Sequence, residues 1–170
     1  LYCGVMVTKD GPKVVEFNCR FGDPETQAVL PLINCDWYEV FLSCAKGKLT
    51  DVKWQMQAQF CVTVVLASKG YPGSYEKGKV ITGIDDAEHA RSNLDIYHSG
   101  TSLDKKDQFV TNGGRVLAVS AWADTLSDAI GLAYEGVAEI DFSGKQFRRD
   151  IGAKGLRALQ RKKSMTNASF

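Results

Sequence analysis

Residues 16–25 read EFNCRFGDPE, a strand-like segment that runs into a loop. Polar residues take every second position at its start. Side chains two residues apart in a strand point to the same face, so Glu16, Asn18 and Arg20 should project together. Carboxylate and amide oxygens are ligands that Mg²⁺ accepts beside substrate phosphates, and a neighbouring guanidinium suits a phosphate or a carboxylate. The pattern indicates a metal and phosphate site, or else a surface Glu–Arg pair of little energetic weight around an asparagine.

The residues around this polar face give the segment its place in the fold. The intervening Val15 and Phe17 are expected to point into the core, on the other face of the strand. A Gly-Asp-Pro-Glu sequence then interrupts the alternation and predicts a loop, because glycine and proline punctuate regular structure. This loop adds two carboxylates, Asp23 and Glu25.

Turn signals and apolar spacing predict two strands followed by two helices in the first part of the chain. The strands cover 1–8 and 13–19 and flank the turn sequence Asp-Gly-Pro. The first helix is expected at 26–33, with a distortion at its proline. The second begins at Asp36, because Glu39 three residues later completes a capping-box-like start.

Strands and one long helix are predicted for the second part. Residues 60–67 and 115–122 are β-branched or apolar runs of strand length, and Asp124 is expected to cap the helix that follows. Short strands are expected at 79–83, 94–100 and 108–111. This order predicts an α+β fold with a largely antiparallel sheet, and the polar stretch 48–59 is expected to separate two lobes.

Composition bounds the class of protein. The 170 residues are 44% hydrophobic and 24% charged, which is ordinary for a globular protein large enough to bury a core. A net charge of +1 argues against a nucleic-acid or membrane surface across the whole domain. No apolar run approaches the ~20 residues that span a bilayer. The basic residues of 148–163 predict a solvated helix or linker rather than a nucleic-acid tail.

The cysteines and the first residues carry predictions about the setting of the chain. The five cysteines are irregularly spaced, and only two histidines accompany them, which disfavours a zinc site and a disulfide framework. We expect the cysteines to be small buried hydrophobes in a reducing, cytoplasmic compartment. The chain starts without methionine, directly in strand-like sequence, and is therefore interpreted as a piece of a longer protein.

One motif is a false match to a nucleotide-binding loop. Residues 73–79, GSYEKGK, fit the Gly-x-x-x-x-Gly-Lys part of a P-loop. That loop needs Ser or Thr next, to hold magnesium, and a helix after it. Val80 follows instead and begins a strand-like run, so the P-loop is rejected.

The segment EFNCRFGDPETQ resembles the signature of the phosphoribosylamine–glycine ligase (glycinamide ribonucleotide synthetase) family, whose members are ATP-grasp enzymes of purine synthesis. ASKGYPGSYEKG, YHSGT, TNGGRVLAV and FRRDIG are also similar to that family, in its order, so the resemblance covers nearly the whole chain. Its most specific part is RFGDPE, residues 20–25. The resemblance implies ATP-dependent joining of glycine to 5-phosphoribosylamine through glycyl phosphate, chemistry that depends on positioning and charge neutralisation.

The resemblance also implies roles for the residues of the opening segment. Glu16 and Asn18 would hold magnesium or manganese on the nucleotide phosphates, and Arg20 would stabilise the acyl phosphate. Asp23 and Glu25 would contact the ammonium group of glycine or the phosphoribosylamine. For these last two, a turn-forming aspartate and a helix N-terminal glutamate are the simpler alternatives.

A second candidate site lies in the later part of the chain. Gly113, Gly114 and Arg115 precede a strand, where successive glycine N–H groups can form an anion-binding nest beside the arginine charge. By the resemblance, a 5-phosphate contact is expected there, and the alternative is a Gly-Gly hairpin turn. Asn112 stands where some relatives have histidine, and Lys69 is a comparable substrate-binding candidate.

The resemblance implies three units and several partners. Residues 1–50 would be the C-terminal part of an ATP-grasp domain, 51–152 a small α/β C-terminal domain, and 153–170 a polar tail or linker. The N-terminal domain and the lid that clamps ATP would lie upstream, and further purine enzymes could be fused downstream. The expected ligands are ATP, glycine and 5-phosphoribosylamine, without nucleic acid or membrane. The alternatives are another ATP-grasp carboxylate–amine ligase and a non-catalytic interaction fragment.

Overall fold

The computed structural model describes residues 1–167 and has the predicted α+β fold. Antiparallel pairing joins every described strand, in one sheet of four strands and three of two. The strands are β1 Tyr2–Thr8, β2 Gly11–Asn18, β3 Ile33–Asn34, β4 Gln55–Met56, β5 Phe60–Ser68, β6 Leu94–His98, β7 Thr101–Leu103, β8 Phe109–Thr111, β9 Arg115–Ala123 and β10 Lys145–Gln146. The helices are α1 Thr26–Val29, α2 Trp37–Ala45, α3 Ile84–His89, α4 Leu126–Glu139 and α5 Ala153–Asn167.

The core lies between the four-stranded sheet and helix α4. The sheet has the order β10-β5-β9-β6, and β5 and β9 are its long central strands. The side chains of β5 alternate, with Val64 and Leu66 fully buried, whereas β9 is buried at every position over 116–121. Burial of each such side chain stabilises the fold by about 1.5–3 kcal/mol. The core therefore belongs to the second part of the chain and holds β9, and the loop before it, in place.

Helix α4 packs closely on this sheet because its inner face carries small residues. Ala129, Ala133, Gly136 and Val137 are its buried positions. A Cβ added to Gly136 would lie 2.6 Å from Cδ1 of Leu94, so the helix could not approach so near with a larger residue there.

The cap of this helix differs from the prediction. Thr125 is the N-cap, and its Oγ1 accepts a hydrogen bond of 3.1 Å from the backbone N–H of Asp128. The prediction that Asp124 caps α4 is wrong by one residue, because both residues are good caps and sequence spacing alone does not choose between them. The Asp124 carboxylate instead accepts from Nε2 of Gln59 at 2.8 Å.

Strands β1 and β2 form a hairpin with no other layer packed on it within the described residues. Val15 is 67% exposed and Phe17 is 64% exposed, so the prediction that they point into the core is wrong for this chain. The register shifts between Gly4 and Val5, which is a bulge that leaves Val15 as the extra residue of β2. Alternation predicted the two faces of the strand, but not whether anything covers the apolar one.

The helices of the first part follow the sequence signals only in part. The helix expected at 26–33 ends at Val29, and residues Leu30–Leu32 continue as one 3₁₀ turn that contains the proline. Asp36 caps α2 as expected, since its Oδ1 accepts from the N–H groups of Tyr38 at 2.9 Å and Glu39 at 3.2 Å. The break expected at 48–59 contains a 3₁₀ turn and the short β4, which pairs with β3.

Three further expectations have mixed outcomes. Residues 79–83 form two isolated bridges rather than a strand. None of the five cysteines is buried, so the prediction of buried cysteines is wrong: Cys3, Cys19 and Cys44 are exposed, and Cys35 and Cys61 are partly buried. The polar tail predicted at 153–170 is helical over Ala153–Asn167, and its last three positions lie outside the described residues.

Among the described helices, none is both long and apolar enough to cross a bilayer.

Candidate functional site

The polar face of β2 forms as the alternation predicts for Glu16 and Asn18, whereas Arg20 lies in the bend after the strand, which ends at Asn18. Glu16 pairs with Gly4 and Asn18 with Tyr2 in the antiparallel register, so these four residues share one face of the hairpin. A Cβ on Gly4 would lie 3.2 Å from Cγ of Glu16, which is tighter than normal contact. The glycine therefore leaves room for the glutamate side chain across the pair.

The loop after β2 brings a second carboxylate to this face. The hydroxyl of Tyr2 donates a hydrogen bond of 3.1 Å to Oε1 of Glu25, 23 residues later in the chain. Gly22 is buried at this contact, and a Cβ on it would lie 2.5 Å from Oε2 of Glu25 and 2.9 Å from Cδ2 of Tyr2. The glycine of the RFGDPE segment thus leaves room for Glu25 and Tyr2 to approach each other at the start of β1.

Electrostatics show that the charged groups of this face are near one another. The pKa of Tyr2 is raised, first because its hydroxyl donates to the Glu25 carboxylate and next because of the negative charge of Glu25. The charge of Glu16 adds to the rise in the Tyr2 pKa, and Arg20 opposes it. The structure therefore gathers Glu16, Arg20 and Glu25 around Tyr2, a residue that the sequence analysis missed because nothing in its neighbourhood marked it.

The oxygen ligands of this face fit part of a metal site. The described residues contain no group of three or more His, Cys, Asp or Glu side chains that would hold a metal by themselves. Mg²⁺ usually takes one or two protein carboxylates and completes its shell with water and phosphates. Glu16 supplies one carboxylate, and Nδ2 of Asn18 is buried without a partner, so the fold does not use the whole amide. These two residues suit a metal that binds together with a phosphate ligand.

Arg20 is not held by a carboxylate in the described part of the chain. Its Nη1 donates to the carbonyl oxygen of Phe21 at 2.8 Å, and no ion pair with Glu16 forms within 4.0 Å. The simpler alternative of a surface Glu–Arg pair is therefore not what the structure contains. The remaining N–H donors of the guanidinium are free to bind an anionic ligand.

Asp23 and Arg115, from the two candidate sites, bind each other. Nη2 of Arg115 lies 2.8 Å from Oδ2 of Asp23, and Nη1 donates to the Asp23 carbonyl oxygen at 3.3 Å. The other oxygen of the carboxylate accepts from Nε2 of Gln27 at 3.2 Å. Both charged side chains are only partly exposed, at 43% and 39%. The loop after β2 is thus fastened to the first residue of β9.

The two glycines before Arg115 are required by packing. A Cβ on Gly114 would lie 2.2 Å from Cδ2 of Tyr71, and one on Gly113 would lie 2.8 Å from Cα of Gly100. Neither glycine has a positive φ, so the alternating right- and left-handed form of an anion nest is absent. Gly113 and Gly114 bring the backbone close to its neighbours, and Arg115 remains the charged group of this loop.

Lys69 lies apart from the Asp23–Arg115 pair, on the wall of a cavity of about 580 Å³. Its backbone N–H donates to the carbonyl oxygen of Gly144 at 2.8 Å, which fixes the residue at the end of β5. The structure therefore places the three loops of the second part, those with Lys69, with Arg115 and with Gly144, next to one another.

Two more residues beside Asp23 were missed by the sequence analysis. Gln27 and His98 line a cavity of about 380 Å³ together with Asp23. Nδ1 of His98 is 2.8 Å from Oγ1 of Thr101, and the Oε1 of Gln27 is buried without a partner. His98 belongs to the segment YHSGT, which indicated the family but no individual role for the histidine. A histidine at an exposed strand end carries no clear local signal.

Comparison with known proteins gives the class to which this fold and site belong. Residues 61–154 match the family model described as the C domain of phosphoribosylglycinamide synthetase, and residues 1–26 match the ATP-grasp (A) domain of the same synthetase. The matched ranges contain the core sheet, the Arg115 loop and the polar face of β2. The chain belongs to the phosphoribosylglycinamide synthetase family.

Individual relatives agree with this assignment. A human protein named trifunctional purine biosynthetic protein adenosine-3 is 48% identical over 167 residues, which are 98% of this chain and 16% of that protein. A phosphoribosylamine–glycine ligase from Nostoc is 50% identical over 156 residues, 89% of this chain and 36% of that protein. The crystal structure of the ligase from Thermotoga maritima superposes with a TM-score of 0.68 at 35% identity, over 87% of this chain and 35% of that one. The chain thus spans between 16% and 36% of the length of these three relatives.

Proposed function

We propose that this chain is the C-terminal part of a phosphoribosylamine–glycine ligase and takes part, within the longer protein, in the ATP-dependent joining of glycine to 5-phosphoribosylamine. The products would be glycinamide ribonucleotide, ADP and phosphate, formed through glycyl phosphate. The observation that carries the proposal is the shared face of Glu16 and Asn18, with Arg20 and Glu25 gathered around Tyr2 beside it. A carboxylate, an amide and an unpaired guanidinium suit phosphoryl transfer, which depends on positioning and charge neutralisation.

Glu16 and Asn18 would hold a divalent metal, magnesium or manganese, on the nucleotide phosphates. The metal would neutralise phosphate charge during transfer. The support from this chain is that the Glu16 carboxylate and the Asn18 amide, whose oxygen would be the ligand, lie on one face of the hairpin. Arg20 would bind the charge that develops on the acyl phosphate, through the donors not used by Phe21.

The substrate contacts are assigned to the two loops that meet at Asp23. Glu25 would bind an amino group, since Tyr2 donates to its Oε1 and its Oε2 accepts no hydrogen bond from the described residues. Asp23 and Arg115 would act while paired, because several N–H groups of the guanidinium remain available. Gly113, Gly114 and Lys69 would form the neighbouring wall.

The domain limits are also proposals. Residues 1–50 would complete an ATP-grasp domain whose remaining part and ATP lid lie upstream, 51–152 would form the small C-terminal domain, and 153–170 would be a polar tail or linker. The names of trifunctional and bifunctional relatives support a fused arrangement of the parent protein. The compartment would be the cytoplasm.

The test is an assay of the full-length protein that contains this chain. Phosphate release should require glycine, phosphoribosylamine and ATP together, and glycinamide ribonucleotide should be identified as the product by mass spectrometry. Release that proceeds with another carboxylate and amine, but not with these two, would assign the chain to a different ATP-grasp ligase. Intact full-length protein without any such activity would favour a non-catalytic role.

A further inference from the structure

A cavity of the second part of the chain lies outside the polar face of β2 and has a basic, hydroxyl-rich wall. Its volume is about 580 Å³, between the loop after β5 and the turn before β10. The side chains that matter chemically are two lysines, two serines, a tyrosine and a glutamate: Lys69, Lys79, Ser74, Ser143, Tyr75 and Glu76. Ammonium and hydroxyl groups donate hydrogen bonds, so the wall is built mostly of donors.

The loop that carries Lys69 is held in one shape by its backbone. Gly70 has a φ of +99°, and a Cβ on it would lie 2.1 Å from the carbonyl oxygen of Ser74, so only glycine fits where the loop folds back. On the other side, the N–H of Lys69 is fixed to Gly144 at 2.8 Å. A wall held in this way loses little conformational entropy when a ligand binds.

The cavity is adjacent to the loop of the candidate substrate site. Ser68 donates through Oγ to the carbonyl oxygen of Gly113 at 2.9 Å, and its N–H donates to that of Gly114 at 2.8 Å. A Cβ on Gly114 would lie 3.0 Å from Cε1 of Tyr75, so this tyrosine separates the cavity from the Arg115 loop by a single layer. The cavity therefore adjoins the Arg115 loop across the ring of Tyr75.

The charges of the wall leave a net attraction for anions. The ammonium of Lys69 has no carboxylate within ion-pair distance among the described residues, whereas Lys79 pairs with Glu76 at 2.6 Å. The pKa of Glu76 is lowered, first because Lys79 donates a hydrogen bond to it, so the glutamate stays ionised. Its side chain is 81% exposed and is free to turn toward solvent when another anion binds Lys79.

We propose that this cavity, through Lys69, Lys79, Ser74 and Ser143, binds the 5-phosphate of the phosphoribosylamine substrate. The inference rests on the proposed ligase function and assigns the phosphate to this cavity rather than to the Arg115 loop, because Lys69 has no carboxylate partner within the described residues and a second lysine lies on the same wall. A lysine binds phosphate as a compact point charge, and hydroxyl groups supply further donors. The phosphate does not react, so we expect it to be bound equally in the ground and transition states and its binding energy to lower the KM.

The kinetic test uses lysine variants of the full-length protein. Lys69→Ala and Lys79→Ala should each raise the KM for phosphoribosylamine by about tenfold to a hundredfold, as expected for loss of a charge-assisted hydrogen bond. The KM values for glycine and ATP, and kcat, should stay nearly unchanged, because the phosphate is bound equally in the ground and transition states. Lys77→Ala is the matched control, since Lys77 lies on the same loop but not on the cavity wall.

A glutamate variant gives an effect of opposite sign. Glu76→Gln removes the carboxylate that competes for Lys79, and it should lower the KM for phosphoribosylamine by up to about fivefold, the scale of an exposed ion pair. Unchanged KM in both lysine variants of an active ligase would overturn the proposal. So would an equal rise in the Lys77 variant, which would indicate only a general effect of charge.

Direct binding separates this inference from the proposed function. Ribose 5-phosphate titrated into the full-length protein, followed by calorimetry, should bind with an affinity that falls in the Lys69 and Lys79 variants, with ribose as the control ligand. If the protein lacks ligase activity but shows this binding, the proposed function fails and the phosphate site stands. If the protein is an active ligase and neither the binding nor the KM depends on these lysines, the phosphate site fails alone.

Discussion

Asp23 and Arg115 are 92 positions apart in the chain and form an ion pair of 2.8 Å between Oδ2 and Nη2. The arginine also donates to the backbone carbonyl of Asp23 at 3.3 Å, so it binds both the side chain and the main chain of the RFGDPE segment. Because Arg115 begins β9, the central strand of the core sheet, the pair fixes a surface loop to the most buried part of the molecule. The position of Glu25, two residues later, depends on this attachment.

Loss of either partner of this pair should impair the same step. Asp23→Asn and Arg115→Ala should each lower kcat/KM for phosphoribosylamine in the full-length ligase, because each releases the loop. The double variant should lose little more than the worse single variant, since residues in contact are not additive. Steady-state kinetics of the wild type, the two single variants and the double variant measure the coupling energy between Asp23 and Arg115. Additive losses would show that the two residues act separately, with Arg115 binding substrate on its own account.

Glu16→Gln should reduce ligase turnover by orders of magnitude. The change keeps the shape of the side chain and removes the negative charge that a divalent metal needs. The apparent affinity for magnesium should fall with it, and circular dichroism should be unaltered, because Glu16 is exposed on the hairpin. Glu39→Gln on helix α2 is the control, with near-normal activity. Normal turnover of the Glu16 variant at saturating magnesium would remove Glu16 from the metal site.

Arg20→Ala should lower kcat by about tenfold to a hundredfold and leave the KM values for all three substrates nearly unchanged. The reason is that Arg20 is expected to bind charge that develops mainly in the transition state. Lys13→Ala, which removes a cation from the strand that precedes Arg20, should have no such effect. A rise in KM with constant kcat would instead place Arg20 in ground-state binding of a substrate.

The isolated 170-residue chain should neither hydrolyse ATP nor form glycinamide ribonucleotide, because the proposed ATP lid is not part of it. It should also self-associate with increasing concentration, because the hairpin exposes an apolar patch and large apolar patches favour contacts between molecules. The exposed residues concerned are Val5, Met6, Val7, Val14, Val15 and Phe17. A phosphate-release assay and sedimentation velocity check the two parts. Glycine-dependent turnover by the isolated chain would contradict the proposed domain limits.

Two glycines of helix α4 should respond to alanine in opposite directions. Gly136→Ala would place Cβ 2.6 Å from Leu94 and should lower the free energy of unfolding by about 1–3 kcal/mol through overpacking. Gly131→Ala meets nothing within 4 Å on the exposed face and should raise it by about 0.5–1 kcal/mol, because alanine favours the helix. Urea unfolding of the chain measures both. Equal effects of the two changes would mean that α4 does not pack on β6 as described.

The sequence by itself determined the local features of this protein. Alternation predicted that Glu16 and Asn18 share a face, and the Asp36 spacing predicted the start of α2, because both depend on backbone geometry within a few residues. The RFGDPE run and the later motifs were sufficient to indicate the family, which the comparisons confirm. These properties depend on residues that are close together in the sequence.

Only the tertiary structure decided which distant groups meet. The pairing of Asp23 with Arg115, and of Tyr2 with Glu25, follows from how the loop after β2 closes onto the sheet and hairpin. The sequence also did not predict the exposure of Val15, because alternation gives the two faces of a strand but not what covers them. The physical reason is that contacts between distant segments depend on the summed packing of the whole domain, whereas a strand face or a helix cap is fixed by steric and hydrogen-bonding preferences of adjacent residues.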